Sequence, residues 1–346
     1  MRALLRGLLV LLALGFLAWG ALALHFAGPR PAGAADVLAV AWVVGGLAVL
    51  LFVRPFGRRL VTFVALPALL LLWWSTLRPS NERAWLPEVA RLPRAELDGD
   101  RLTIHNVRNF DYRSLTDFTE RWETRTYDLA DLDHLDLFMS YWGSPKIAHT
   151  IMSWAFRDGQ HLAVSIETRK EVGETYDPIA GFFRQYELYY VVGDERDVIR
   201  VRTNYRREQV YLYPLRTPRA RVRAGLIDYA KSMNALAEKP QFYNAGTDNC
   251  TTTIRMHVQA IGTKMPWDYR ILLNGHLDDL LYEHGVIDTS RPFPEVKAAS
   301  LIDARAQATD KDSAFSARIR EGITVPRRFD ETDAGASTTS KPGGRR

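Results

Sequence analysis

Three apolar runs crowd the first eighty residues and constrain this chain more than any other feature: Gly7–Phe26, Val37–Val53 and Leu60–Leu77. Each is close to the roughly 17–25 residues needed to cross a bilayer core. The first, after the basic start MRALLR, would also suit a cleaved signal peptide. Two more runs follow closely, so the sequence predicts a retained three-helix anchor over residues 1–80. The second run is the shortest and carries Gly45-Gly46; Pro67 lies inside the third, which a membrane helix tolerates. Basic residues in the short flanks set the orientation. Arg2 and Arg6 precede the first run, Arg30 alone lies in the first loop, and Arg54, Arg58 and Arg59 crowd the second loop. The start and the second loop are therefore expected in the cytoplasm. The chain then leaves the third helix on the opposite side, at Trp73 and Trp74. Everything after about residue 80 is expected outside the cytoplasm. In a bacterium with two membranes that means a multi-pass inner-membrane protein with a periplasmic domain.

A length of 346 residues suits two units. Residues 81–100 read as a linker, 101–330 as the soluble domain, and 331–346, poor in apolar residues, as a disordered tail. The net charge of +5 is modest, and no basic run interleaves with aromatics. Nucleic acid is thus not expected as a partner; a basic surface near anionic headgroups is more natural. The single cysteine excludes an intramolecular disulfide, so the exported domain must be held by its core.

The soluble part reads as α+β. RLTIHNV (101–107) alternates as a strand, with Leu102, Ile104 and Val107 on one side. Two β-rich runs, 148–156 and 161–168, flank Arg157-Asp158-Gly159-Gln160, a strong hairpin signal. YELYYVVGDERDVIRVRTNY (186–205) predicts a strand, a turn and a second β-rich run; QVYLYPL (209–215) adds another. Residues 218–240 form an amphipathic helix with Val222, Leu226, Tyr229, Met233 and Leu236 on one stripe. Asp248 or Asn249 caps a further short helix, with Ile254, Val258 and Ile261 on one face and Gly262 at its end. A helical unit, WDYRILLNGHLDDLLYEHGVI, follows it.

Cys250 therefore sits in the first turn of a helix. There the free backbone N–H groups and the helix dipole favour the thiolate. The N–H groups that follow Cys250 can also receive an oxyanion; Asn249 and Thr251 flank the thiol as supporting candidates. The bland alternative is a small buried apolar residue. A thiol nucleophile needs a base, and His149, at the start of a hairpin strand, is the rigidly held candidate. With the turn centred on Asp158-Gly159, Phe156 should oppose His161, leaving His161 near the turn, on the order of 20 Å from His149. Glu167 and Thr168 lie near His149, and the register decides which shares its face. Glu167 could orient the imidazole as the third member of a triad or be a solvated carboxylate. The remaining histidines lack metal spacing, and Asp128–Asp136, without a calcium-loop pattern, reads as surface. No metal or cofactor is expected.

IAHTIMSWAFRDGQHLAVSIETRKEVGETY, YELYYVVGDERDVI and FYNAGTDNCTTTIR together resemble the Lnb N-terminal periplasmic domain family over about residues 100–330. The resemblance implies a lipoprotein N-acyltransferase that moves an acyl chain from a phospholipid to the N-terminal amine of a lipoprotein. It also implies a circularly permuted papain-like fold of the NlpC superfamily, with an antiparallel sheet and a helix bearing the cysteine. Histidine then precedes cysteine, and the cysteine lies in an Asn-Cys pair, as His149 and Asn249-Cys250 do. On this resemblance Cys250 is the nucleophile and His149 the base. Tyr243, Asn244, Glu167, Arg169 and Glu174 match recurrent family positions. The three membrane helices set this architecture apart, and the resemblance supports thiol acyl chemistry more broadly than this one acceptor. The expectation is a membrane-anchored cysteine acyltransferase with a phospholipid donor and a lipoprotein acceptor. A papain-like peptidase or amidase acting on cell-wall peptides, or a scaffold without catalysis, are the alternatives.

Overall fold

The computed structural model describes residues 2–29, 33–263 and 266–326. The tail at 331–346 and Arg30, which entered the orientation argument, lie outside the described residues. The apolar runs form α1 (Arg2–Ala27), α2 (Ala34–Phe52) and α3 (Phe56–Thr76). All three are long and apolar enough to cross a membrane. The glycine pair that weakened the second run has a packing reason. A Cβ at Gly46 would lie 2.2 Å from the Leu17 side chain, so glycine lets α2 approach α1 closely. Trp42 Nε1 donates to the Leu17 carbonyl at 3.0 Å across the same contact.

These helices belong to one compact unit that also contains Gly173–Glu187 and Gln241–Ala245. Within it, Phe183 stacks on Phe26 at 5.7 Å, and Arg184 donates to the Trp74 carbonyl at 2.7 Å. Tyr243 N donates to the Tyr186 carbonyl, and Gln185 reaches Glu174. The second compact unit comprises Ala84–Val172, Leu188–Pro240 and the residues from Gly246 onward. The stretch read as a linker is partly structured: a 3-10 turn spans Pro87–Val89, and strand β1 spans Arg94–Asp98.

The remaining strands are β2 (Arg101–Arg108), β3 (Asp111–Tyr112), β4 (Phe118–Thr119), β5 (Trp122–Asp128), β6 (Leu132–Tyr141), β7 (Ala148–Phe156), β8 (His161–Arg169), β9 (Glu187–Gly193) and β10 (Gln209–Leu215). The helices are α4 (Glu195–Val198), α5 (Arg219–Glu238), α6 (Cys250–Ala260), α7 (Leu277–Glu283), α8 (Phe293–Ser300), α9 (Asp303–Ala308) and α10 (Phe315–Arg318). The main sheet runs β1-β2-β9-β8-β7-β6-β10, with β5 also on β2, while β3 and β4 form a small ribbon. Its β1–β2, β2–β5, β6–β7, β7–β8 and β6–β10 pairs are antiparallel, as expected, and the sheet is mixed because β2 meets β9 in parallel at Arg108 and Gly193. In β2, a bulge at Asn106 (φ 61) turns both Ile104 and Val107 inward, which simple alternation could not do.

The central strands are buried on both faces. Ile151, Ala163, Val191, Val210 and Leu212 pack with Val198, Ile199, Ile302, Phe315 and Ile319. On the other face Trp154 donates to the Val222 carbonyl at 3.1 Å and meets the Tyr229 ring edge-on at 4.9 Å. Two expectations fail here for electrostatic reasons. The run after Asp194 is α4 followed by a π-helix over Val201–Tyr205, not a strand. Asp194 caps it, and helical spacing aims Asp197 at Arg108 (2.8 Å) and Glu195 at Arg320 (2.6 Å). These buried pairs override β propensity. Asp136 is not surface: it is fully buried, paired with Arg320 at 2.6 Å.

Candidate functional site

Asn249 builds the start of α6. Its side-chain oxygen accepts from Thr251 N (3.0 Å) and Thr252 N (2.9 Å), and Thr252 Oγ1 accepts from Asn249 N (3.0 Å). This reciprocal capping box fixes Cys250 as the first helical residue. It also corrects one expectation. The amides after Cys250 are already engaged by the cap and are not offered to an oxyanion. The buried face of α6 is likewise polar: Cys250, Thr251, Thr253 and His257, with Ile254, Val258 and Ile261 only half-buried.

The β7–β8 ladder explains how thiol and imidazole meet. Ala155, not Phe156, opposes His161, one residue from the expected register. Five residues, Arg157-Asp158-Gly159-Gln160 and Phe156 before them, close the turn through Phe156 N to the Gln160 carbonyl. Continued along the strands, this register sets Glu167 rather than Thr168 across from His149. Pairing stops at Ile151–Ser165. Beyond that point β7 is free of β8 while Thr150 stays paired with Met139 of β6, and hydrogen bonding from Thr150 helps to lower the Cys250 pKa.

His149, Ser165 and Glu167 then form a polar line. His149 Nε2 lies 2.5 Å from Ser165 Oγ and 3.6 Å from Glu167 Oε1, and Ser165 Oγ donates to Glu167 at 2.8 Å. Arg202 extends it, donating to Glu167 at 2.8 Å and to Glu208 at 3.0 Å; Ser140 also donates to Glu208. Cys250 is 8 % exposed. Burial pushes its thiol up, but the His149 charge and hydrogen bonds from His149 and Thr150 outweigh burial and bring it down to about 6. For His149, burial and then Arg202 favour the neutral ring; the Cys250 thiolate and Glu167 overcome both and raise its pKa. Glu167 resists burial through Arg202 and His149 and stays ionised well below the ordinary carboxylate range. The favoured state is a thiolate–imidazolium pair backed by a carboxylate, the arrangement that thiol nucleophiles use.

Asn274 was not legible in the sequence. Its side chain donates to the Ala148 carbonyl (2.6 Å) and Thr251 Oγ1 (2.6 Å) and accepts from Ala148 N (2.8 Å). It ties the start of β7 to the start of α6, so it fixes the separation of His149 and Cys250. Arg202 was missed because its segment read as a strand. His161 stays at the turn beside the Gly159 carbonyl, as expected. His257, also on α6, is satisfied by Asp228 (2.7 Å) and Tyr190 (2.8 Å). Arg169 stacks on Trp85 and donates to the Val89 and Ala90 carbonyls. Tyr243, Asn244 and Glu174 belong to the compact unit of the membrane helices, not to the unit that holds Cys250.

Helix-borne thiol, strand-borne imidazole and carboxylate form an arrangement consistent with a cysteine–histidine site. Residues 118–275, which include the whole of it, match the family described as the Lnb N-terminal periplasmic domain. No curated protein and no solved structure matches the chain. The apolar helices and the periplasmic domain family together describe a membrane-anchored protein with a periplasmic domain.

Proposed function

We propose that the protein is a cysteine acyltransferase of the bacterial inner membrane, and that it moves an acyl chain from a phospholipid to the N-terminal amine of a lipoprotein. The observation that carries this reading is the line Cys250–His149–Ser165/Glu167, in which the thiol is lowered to about 6. The Cys250 thiolate attacks a phospholipid ester carbonyl, and the oxyanion rests on the Cys250 amide. The ester C–O bond breaks, His149 protonates the departing lysophospholipid alkoxide, and a thioester remains. His149 then takes a proton from the acceptor amine as it attacks. The C–S bond breaks and an amide forms, which restores the thiolate–imidazolium pair. Glu167 stabilises the imidazolium whenever it forms and keeps the ring oriented through both steps. The order of histidine before a helix-start cysteine supports a permuted papain-like arrangement, and anchoring on the same chain keeps lipid at high effective concentration.

The test is to incubate the detergent-solubilised protein with phospholipid and a diacylated lipopeptide bearing a free N-terminal amine. The expected product is the N-acylated lipopeptide, formed by wild type and not by Cys250→Ala. Cleavage of cell-wall peptides in place of acylation would move the assignment to a peptidase. Neither activity, together with full function of Cys250→Ala in cells, would leave a scaffold.

A further inference from the structure

A cavity of about 590 Å³ lies beside the polar line just described. Its size falls in the usual range for small-molecule sites. Trp142 forms one wall and meets the His149 ring edge-on at 6.3 Å, so this indole links the cavity to the candidate base. Tyr141 and Tyr211 add aromatic surface. Arg206, Arg207 and Lys297 also line it, with Glu208 as the facing carboxylate. The charges do not cancel. Glu208 is already engaged by buried Arg202 at 3.0 Å and by Ser140, and lies 3.7 Å from Arg206. Lys297 pairs with Asp278 at 2.8 Å. Arg206 and Arg207 thus leave a positive surplus in an aromatic recess.

A second feature singles out the arginines. Arg207 adopts φ 58, a left-handed conformation that an arginine does not prefer. It follows the π-helix at Val201–Tyr205, an irregular turn type often found at functional sites. The turn holds Arg202 inward on Glu167 while Arg206 and Arg207 line the cavity. One short segment thereby supplies both the carboxylate's partner and the cavity's cations.

We propose that this cavity binds the phosphodiester anion of the acyl donor, with Arg206 and Arg207 as its ligands and Trp142, Tyr141 and Tyr211 against the apolar part of the lipid. Bidentate guanidinium–phosphate contact suits the two arginines. The anion anchored there holds the ester next to His149 and Cys250. The inference rests on the acyltransferase reading for its substrate, but it is tested by binding, without turnover.

The experiment uses full-length Cys250→Ala protein in detergent, so no chemistry intervenes. Calorimetry measures binding of dihexanoyl phosphatidylglycerol, dihexanoylglycerol and inorganic phosphate. The phosphatidylglycerol is expected to bind at least tenfold tighter than either of the others, and to weaken with added salt. Adding Arg206→Gln and Arg207→Gln should weaken it at least tenfold while leaving the melting temperature unchanged; both side chains are exposed. Each single replacement, measured alongside, should give part of that loss. Equal affinity in the arginine variants, or equal binding of dihexanoylglycerol, overturns the proposal. Inorganic phosphate binding as tightly as the lipid also overturns it and makes the cavity a free-phosphate site. Arginine-dependent lipid binding without acyl transfer by wild type would refute the acyltransferase reading alone.

Discussion

Replacing Glu167 by Gln isolates the electrostatic core of the site. Glutamine keeps the shape and can still bond Ser165, but it removes the charge 3.6 Å from His149. At an effective dielectric constant near 20, opposite charges about 4 Å apart attract by about 4 kcal/mol. One pH unit of protonation equilibrium is worth about 1.4 kcal/mol, so the carboxylate can hold the imidazolium by up to about three pH units. Glu167 is 23 % exposed, and solvent takes part of this. Arg202 acts in the opposite sense: with Glu167 neutralised, Glu208 alone offsets it, and it repels the imidazolium more strongly. The sign for the thiol follows. A neutral His149 no longer stabilises the thiolate, so the Cys250 pKa rises from about 6 toward the ordinary thiol value of 9.0. The assay is the rate of alkylation by iodoacetamide against pH, and with one cysteine in the chain every modification reports on Cys250. Wild type should show a midpoint near 6, and Glu167→Gln a midpoint about one to three pH units higher. A variant midpoint still near 6 would refute the coupling of Glu167 to the thiol through His149.

Other outcomes follow from the same geometry. Asn274→Ala leaves the Ala148 amide, the Ala148 carbonyl and the Thr251 hydroxyl without their buried partner; a loss of about 2–4 kcal/mol is expected in denaturant unfolding, and one below about 0.5 kcal/mol would contradict the bridging role. Asn249→Ala removes the capping box and should cost about 1 kcal/mol, read as a lower melting temperature that Asn249→Asp largely restores. Acyl transfer should rise with pH through about 6 as Cys250 deprotonates and fall again above the raised pKa of His149. Glu167, depressed in the folded state, contributes stability that is complete above the ordinary carboxylate pKa of 4.5 and is lost as the pH falls through its low folded value; acid unfolding of Glu167→Gln should therefore show a weaker pH dependence there.

The features legible in the sequence were those carried by local chemistry. The apolar runs read directly as α1 to α3, the Asp158-Gly159 turn located β7 and β8, and Asn249 marked the start of α6. What escaped was set by distant partners. Glu195 and Asp197 made a helix of a β-rich run because Arg320 and Arg108, far along the chain, pair with them. Asp136 looked like surface for the same reason. The hairpin register was misjudged by one residue because loop closure through Phe156 and Gln160 is not encoded by the central dipeptide alone. Asn274 gave no signal, since an asparagine in a short polar turn has no periodicity to betray a role in the core. Thus His149 and Cys250 could be chosen from the sequence, whereas Arg202 and Asn274, which hold Glu167 and the strand–helix junction in place, could not.

The central claim is that Cys250 carries the acyl group. Intact-mass analysis of the full-length protein after incubation with phospholipid, and without any acceptor amine, tests it most directly. The account predicts a mass increase of one acyl chain on wild type, removed by neutral hydroxylamine and absent from Cys250→Ala. Phospholipid turnover with no such adduct, or an adduct of equal yield on Cys250→Ala, would contradict it.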